Sequence, residues 1–308
     1  MTILNLLYSS LEISAPILVI LLCGIIFKRL NILNDGFIQT GNKLVFTIAL
    51  PSLLFLNVAS RSFTESLDVK LVLYGIVATV VSVVLLSWFS KCFITEDQRK
   101  VFVHCSFRGN MGIIGLALCV NAFGNDIIAS AAIYLAILTI IYNVIAVVLL
   151  SNNKRSIFSG LIKNPLIIAI IAAMLWSTTN VAMPSIINKS LGYLAQLTLP
   201  LALLCIGAGL EWQSLRLNHK TALLASTFKL IVVPMLAVFG GVLIGLDNQE
   251  LGILFLMMAT PTAAAAYIMS HQMSKHGQLA GEIITISTLL SPITVTIGLM
   301  VMKSLGYI

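Results

Sequence analysis

The chain is a series of long apolar runs separated by short polar connections, and this alternation limits the folds open to it. A helix needs about 20 apolar residues to cross the hydrocarbon core of a bilayer, so ten such runs account for nearly all of the 308 residues. The pattern predicts an all-α integral membrane protein with ten transmembrane helices and no separate soluble domain. The ten predicted spans cover residues 10–28, 37–59, 69–91, 99–123, 127–150, 165–183, 186–210, 219–245, 250–273 and 280–303.

The charge content excludes soluble proteins. Only 9% of the residues are charged, whereas globular domains carry about a quarter. The five cysteines form no CxxC pair and the four histidines lack ligand spacing, so we expect no metal and no cofactor. The net charge of +7 comes from scattered cations, which argues against a nucleic-acid partner. The amino terminus lacks the features of a cleaved secretory signal, so we expect the first run to be retained as a helix.

The distribution of Lys and Arg predicts the orientation, because cytoplasmic connections carry an excess of positive charge. With the amino terminus outside, twelve cations fall in inner connections and four in outer ones. This predicts a multi-pass membrane protein with both termini outside and the 151–164 connection in the cytoplasm. The inner set is Lys28, Arg29, Lys43, Lys91, Arg99, Lys100, Lys154, Arg155, Lys163, Arg216, Lys220 and Lys275, and the outer set is Arg61, Lys70, Lys189 and Lys303.

Sequence landmarks repeat along the chain at a near-constant spacing of 149 to 153 residues. This spacing predicts a duplication into residues 1–150 and 151–308. Each half holds five predicted spans, an odd number, so the second half enters the membrane inverted relative to the first. Inverted repeats with broken helices are typical of secondary transporters. The paired landmarks are Pro16 with Pro165, Pro51 with Pro200, Asn110 with Pro261, and Gly124 with Gly277.

The fourth and ninth predicted spans contain helix-breaking residues at the same depth. Asn110 and Pro261 each lie eleven residues past a polar helix start, about 16 Å along the helix and near the bilayer midplane. Gly109 and Gly112 flank Asn110, whose amide we expect to serve the freed backbone, and threonine hydroxyls flank Pro261. We expect the two broken helices to cross. Half-helices beginning near Met111 and Thr262 would then direct their positive dipole ends at the midplane. The alternative interpretation is that both breaks are ordinary kinks.

Two cations, Arg108 and Lys229, lie inside predicted spans, where each costs about 2.5 to 3.5 kcal/mol on insertion-based scales. No Asp or Glu lies at a similar predicted depth. The cations either bind an anionic substrate or have a structural role, in which they snorkel or pair with backbone carbonyls. The predicted substrate site comprises Arg108, Gly109, Asn110, Met111, Lys229, Thr260, Pro261 and Thr262.

Three stretches resemble the auxin efflux carrier family, which includes plant auxin exporters and bacterial carriers assigned to malonate or other organic acids. They are FRGNMGIIGLAL (107–118), STFKLIVVPML (226–236) and ATPTAAAAYIMSHQMSKHGQLAGEIITISTLLS (259–291), and the similarity extends over essentially the whole chain. The chain resembles the bacterial members in scale, because it lacks the long cytoplasmic loop that many plant members carry between the fifth and sixth spans. The resemblance therefore implies the bacterial inner (cytoplasmic) membrane. Ala117 is a departure, since many relatives have a proline shortly after the break in the fourth span.

The resemblance implies a ten-helix fold of two inverted five-helix repeats, similar to bile-acid transporters and sodium/proton antiporters. A scaffold of spans 1, 2, 6 and 7, which often dimerises, would support a transport domain of spans 3–5 and 8–10 that moves as an elevator. The family's crossover positions correspond to Asn110 and Pro261. Its lysine in the eighth span corresponds to Lys229, and Arg108 matches a basic residue of some bacterial members.

These observations predict a secondary transporter for a small organic carboxylate anion. An inside-negative potential favours moving one negative charge outward by about 2.3 kcal/mol per 100 mV, so export needs no coupling ion. Sodium coordination by backbone carbonyls with Asn110 or Thr262 remains an alternative. A channel or a non-transporting receptor on the same scaffold is the alternative function. An enzyme is not expected, because the chain has no GxSxG, HExxH or P-loop pattern. The substrate and the net direction stay open.

Overall fold

The computed structural model describes residues 3–59, 68–124, 127–150, 165–179, 181, 183–210 and 219–308. These residues form twelve helices and no β-strand. The helices are α1 Ile3–Arg29, α2 Asp35–Ala59, α3 Val69–Phe93, α4 Glu96–Phe107, α5 Met111–Phe123, α6 Ile128–Leu150, α7 Pro165–Thr178, α8 Ser185–Ala208, α9 His219–Leu243, α10 Asn248–Met258, α11 Ala264–Met273 and α12 Gly277–Ser304.

Seven of these helices are long and apolar enough to cross a membrane by length and composition, namely α1, α2, α3, α6, α8, α9 and α12. Two further helices, α5 and α7, are apolar but shorter. The fourth predicted span is divided between α4 and α5, and the ninth between α10 and α11. The sixth predicted span, 165–183, contains a helix of 14 residues.

Helix ends follow local sequence signals. Asp68 accepts a hydrogen bond from the Leu71 amide at the start of α3. At the start of α10, Asp247 and Glu250 form a reciprocal capping box. The helix then runs without interruption until the chain reaches the Ala259–Ala263 segment. Both breaks expected from the sequence are therefore present, each as a few non-helical residues between two helices.

The broken helices lie at the centre of the packing, and the other helices shield them. Residues 101–107 of α4 and 250–258 of α10 are all buried. Helices α1 and α8 pack together, as do α2 and α7, while α12 contacts α1, α9 and α11. Large apolar side chains on the outward faces are exposed, among them Trp88 of α3 and Phe239 of α9. An apolar outer surface of this kind is what a bilayer solvates.

Several sequence predictions fall on residues outside the described ranges. These are the 151–164 connection with Lys154, Arg155 and Lys163, together with Arg61 and Arg216. The orientation and the division into halves at residue 150 therefore stay predictions.

Candidate functional site

The two helix breaks pair with each other through their backbones. Gly109 and Thr262 form an antiparallel bridge. The Asn110 amide donates to the Pro261 carbonyl at 2.8 Å, and the Ala263 amide donates to the Arg108 carbonyl at 3.0 Å. Backbone groups that have no intrahelical partner at one break thus form hydrogen bonds with the other break. A low-dielectric environment requires such pairing. The crossing expected from the sequence is a direct backbone contact.

Gly109 is required for this close approach. A Cβ at this position would lie 2.3 Å from the Thr260 hydroxyl oxygen and 3.0 Å from the Lys229 amine. Gly112 is different, because a Cβ there would only make ordinary contacts with Leu50 and Leu135, at 3.5 Å and beyond. The two glycines of the fourth span therefore have separate roles. Gly109 permits the crossing, whereas Gly112 lies inside the first turn of α5.

Threonine hydroxyls satisfy the carbonyls at the ends of the half-helices. Pro261 has no N–H to offer the Met257 carbonyl, and the Thr260 hydroxyl donates to that carbonyl at 2.8 Å. The Thr262 hydroxyl donates to the Cys105 carbonyl in α4 at 2.9 Å. Its amide donates to the Ser287 hydroxyl of α12 at 3.1 Å. The sequence indicated threonines beside the gap, and their bonds hold α4, α10 and α12 around it.

Lys229 is fully buried in a widened, π-helical turn of α9, Phe228–Val232. Its amine donates to the Met258 carbonyl, the last of α10, at 2.5 Å. A cation at this position offsets the negative end of the α10 dipole. Lys229 has no acidic partner among the described residues. Of the two roles that the sequence leaves open for Lys229, anion binding and pairing with a backbone carbonyl, this contact is the second.

Arg108 extends from the break toward α6 and is 7% exposed. One guanidinium nitrogen donates to the Asn143 side-chain oxygen at 2.7 Å, and the other terminal nitrogen contacts the Tyr142 carbonyl at 3.4 Å. A guanidinium carries five N–H donors, so about three are left without an acceptor in the described part of the chain. No carboxylate within that part pairs with Arg108. The result is a buried cation whose charge is not neutralised.

Asn110 and Met111 lie where α5 begins. From the sequence, the side-chain amide of Asn110 was expected to bond the freed backbone groups of its own break. In the structure this side chain makes no capping bond, because the Pro261 carbonyl of the opposite break accepts from the Asn110 backbone N–H instead. The Asn110 carbonyl accepts from the amides of Ile114 and Gly115. In the described residues, no acceptor bonds the Asn110 side-chain amide or the N–H of Met111. These polar groups remain available next to Arg108 in the chain.

The eight predicted residues thus fall into two groups. The structure brings Gly109, Thr260, Pro261, Thr262 and Lys229 together at the crossing, where their contacts are with the protein itself. Arg108, Asn110 and Met111 retain polar groups without a partner in the described part of the chain.

Three residues near the breaks were not among the predicted site residues. Asn143 and Ser287 bond to the two breaks from α6 and α12. His104, one turn before Arg108, is fully buried, and its Nδ1 lies 3.4 Å from the Ser270 hydroxyl of α11. Asn143 was detectable as the only side-chain amide in an otherwise apolar run, whereas Ser287 is one of many small polar residues in its helix.

Comparisons with known proteins agree with this architecture. A family model described as "Membrane transport protein" matches residues 10–157 and, a second time, residues 151–299. An uncharacterized transporter of Methanocaldococcus jannaschii is 25% identical over 304 aligned positions, which cover 93% of this chain and 97% of that protein. An uncharacterized transporter of Methanothermobacter thermautotrophicus is 23% identical, covering 92% of this chain and 95% of the relative.

An uncharacterized transporter of Escherichia coli K12 is 25% identical, with 89% of this chain and 91% of the relative covered. The names of the family and of these relatives indicate a membrane transporter, a class that is generally not enzymatic. The matched family is the one that the three sequence stretches resemble. The chain, a multi-span membrane protein, belongs to the auxin efflux carrier family of membrane transport proteins.

Proposed function

We propose that this protein is a secondary transporter for a small organic carboxylate anion, which binds beside the crossing of the two helix breaks. The observation that carries the proposal is Arg108, a buried guanidinium with spare N–H donors and no acidic partner among the described residues. Leaving a buried charge uncompensated is costly, so a site of this kind favours an anionic ligand.

Helix termini add to the attraction for an anion. Helix α5 begins at Met111 and α11 at Ala264, on either side of the backbone bridge. The first N–H groups of a helix lack intrahelical acceptors and carry partial positive charge. Lys229 of α9 contributes further positive charge beside the bridge, although its amine already donates to the Met258 carbonyl. Asn110 would complete the site with its side-chain amide.

Ten spans in two inverted repeats are the architecture that we propose around this site. The family model matches the chain twice; the first match contains five predicted spans, and the second contains four and most of the fifth. An odd number of spans per repeat inverts the second repeat, and transporters with inverted repeats place their substrate between broken helices. Asn110 and Pro261, the equivalent positions of the two breaks, are joined by a backbone hydrogen bond, and this contact supports the arrangement.

An elevator motion would alternate access to the site. We assign α1, α2, α7 and α8 to a scaffold and the remaining helices to a moving transport domain. A cavity of about 470 Å³ lies between the two groups, lined by Leu53 and Asn57 of α2, Gln196 of α8 and Leu116 and Val120 of α5. Movement would also have to break a 2.6 Å hydrogen bond between Ser14 of α1 and Thr296 of α12. The scaffold helices would form the contact in a homodimer.

The direction of transport follows from charge. In a bacterial inner membrane with both termini outside, the inside-negative potential would drive export of an anion without a coupling ion. The side chains that hydrogen-bond around the bridge are those of Lys229, Thr260, Thr262 and Ser287, none of which is an acid. Export of an anion down the potential requires no coupling through an acid.

Flux in proteoliposomes tests the function. Purified protein would be assayed with labelled acetate, malonate, succinate and benzoate, while potential, sodium gradient and pH gradient are varied separately. A carrier gives saturable flux that trans substrate accelerates, whereas a channel gives conductance without such acceleration, and a receptor gives binding without flux. The proposal predicts saturable flux of at least one acid, increased by a potential that is negative on the side of the anion. No saturable flux of any of the four acids would overturn it.

A further inference from the structure

We propose that Asn143 of α6 is the second half of a carboxylate clamp, in which it orients the Arg108 guanidinium and donates its own N–H groups to the substrate. The inference rests on the proposed function, because it assigns a further specificity-determining residue to the same anion site. Asn143 belongs to none of the three motifs that relate the chain to its family.

Helix α6 holds the guanidinium at two points. The Asn143 side-chain oxygen accepts from one terminal nitrogen of Arg108 at 2.7 Å, and the Tyr142 carbonyl lies 3.4 Å from the other. A hydrogen bond from an ionised donor is short and strong compared with a neutral one. The planar fork of Arg108 is therefore fixed by two adjacent residues of one rigid helix, which is the preorganisation that a binding site needs.

The same contact leaves donors free. Because the side-chain oxygen of Asn143 is bonded to Arg108, its NH₂ group with two N–H donors remains. No acceptor among the described residues bonds this group, and Asn143 is only half-buried. Arg108 keeps its own unused donors on the same guanidinium. A carboxylate offers two oxygens with several acceptor positions, which suits paired donors from a guanidinium and an adjacent amide.

The neutral amide of Asn143 leaves the positive charge of Arg108 uncompensated. An aspartate at position 143 would hold Arg108 equally well, but it would also neutralise the guanidinium and repel a substrate carboxylate. Asparagine positions the cation and leaves its charge for the ligand. A residue that only packed or only tied α4 to α6 would have no need of this distinction, so the neutral amide points to recognition of a planar anion.

The substitution Asn143→Asp separates these two roles. It keeps the acceptor for Arg108, adds an attractive ion pair and removes both donors and the net positive charge of the site. We expect Asn143→Asp to elute as monodisperse protein with a melting temperature no lower than wild type. Its KM is measured for whichever acid of the acetate, malonate, succinate and benzoate panel is transported. We expect this KM to rise by about tenfold or more, with a smaller change in kcat. The matched control is Asn248→Asp, the same change on the exposed first turn of α10, which should leave KM unchanged.

Two further variants keep the test decisive if Asn143→Asp does not fold. Asn143→Ala removes the donors, and Asn143→Gln restores an amide, so KM should rise in the first and return toward wild type in the second. Wild-type KM in Asn143→Asp, or in Asn143→Ala, would overturn the clamp.

The two proposals fail in different ways. Absence of saturable flux in the wild-type protein would overturn the proposed function and the clamp together. Loss of flux in Arg108→Ala with wild-type KM in Asn143→Asp would overturn the clamp alone and leave the transporter standing.

Discussion

Gly109 and Lys229 illustrate how tightly single residues are fitted at the crossing. The amine of Lys229 and the hydroxyl of Thr260 lie where a side chain at position 109 would have to be. Two α-helical breaks approach each other at this point, and only the residue without a Cβ fits between them. Gly112, three residues later, has room for a methyl group.

Substitution of each glycine by alanine distinguishes the close approach from a general need for flexibility. Gly109→Ala places a methyl group against Thr260 and Lys229, so we expect it to destabilise the protein by about 1 to 3 kcal/mol. Gly112→Ala is the matched control, and its melting temperature should lie close to that of wild type. Thermal unfolding of the purified variants in detergent measures both. Equal melting temperatures of the two variants would contradict the role of Gly109.

At the scale of helices, the sequence predicted the positions of the breaks but not what satisfies them. Proline and glycine signal where a helix stops, which is a local property of the chain. The backbone bridge joins Gly109 to Thr262, which are 153 residues apart in the sequence, so no local pattern reports it. For this reason the Asn110 amide was expected to serve its own break, and the same limit hid Asn143, whose role depends on contact with Arg108.

Proline at position 261 keeps α10 and α11 apart. In Pro261→Ala the new N–H can donate to the Met257 carbonyl, in competition with the Thr260 hydroxyl, and the continuous helix would pull the chain away from the bridge. We expect flux of the transported acid to fall by about tenfold or more. Pro292→Ala is the control, because α12 continues through Pro292 without a break. Similar flux for the two variants in proteoliposomes would show that the break at Pro261 is dispensable.

For the whole molecule, composition predicts the class of protein, and the comparison with the family adds evidence for a repeat. An apolar sequence with 9% charged residues is enough to predict a multi-span helical membrane protein. The spacing of prolines predicted a duplication into residues 1–150 and 151–308, and the family model matches the chain twice, over residues 10–157 and 151–299. Among the described residues, seven helices are long and apolar enough to span a membrane, against ten predicted spans, because the fourth and ninth spans are each divided into shorter helices and α7 is only 14 residues long.

Orientation is testable for the molecule as a whole. Lys189 and Lys275 are both exposed, and the charge distribution predicts that Lys189 lies outside and Lys275 inside. In a variant without its five native cysteines, a membrane-impermeant thiol reagent added to intact cells should label Lys189→Cys and not Lys275→Cys. Permeabilised cells, in which both positions should react, provide the control. The reverse pattern of labelling would contradict the proposed topology.

The central claim is that Arg108 holds a carboxylate during transport, with additional positive charge from Lys229 at the helix crossing. The most direct test is counterflow of a labelled acid from the acetate, malonate, succinate and benzoate panel. It compares wild-type protein with the Arg108→Ala, Lys229→Ala double variant. We predict saturable counterflow in the wild type and a loss of about a hundredfold in kcat/KM in the double variant, while both proteins elute as monodisperse species. Equal counterflow by the two proteins would contradict the account.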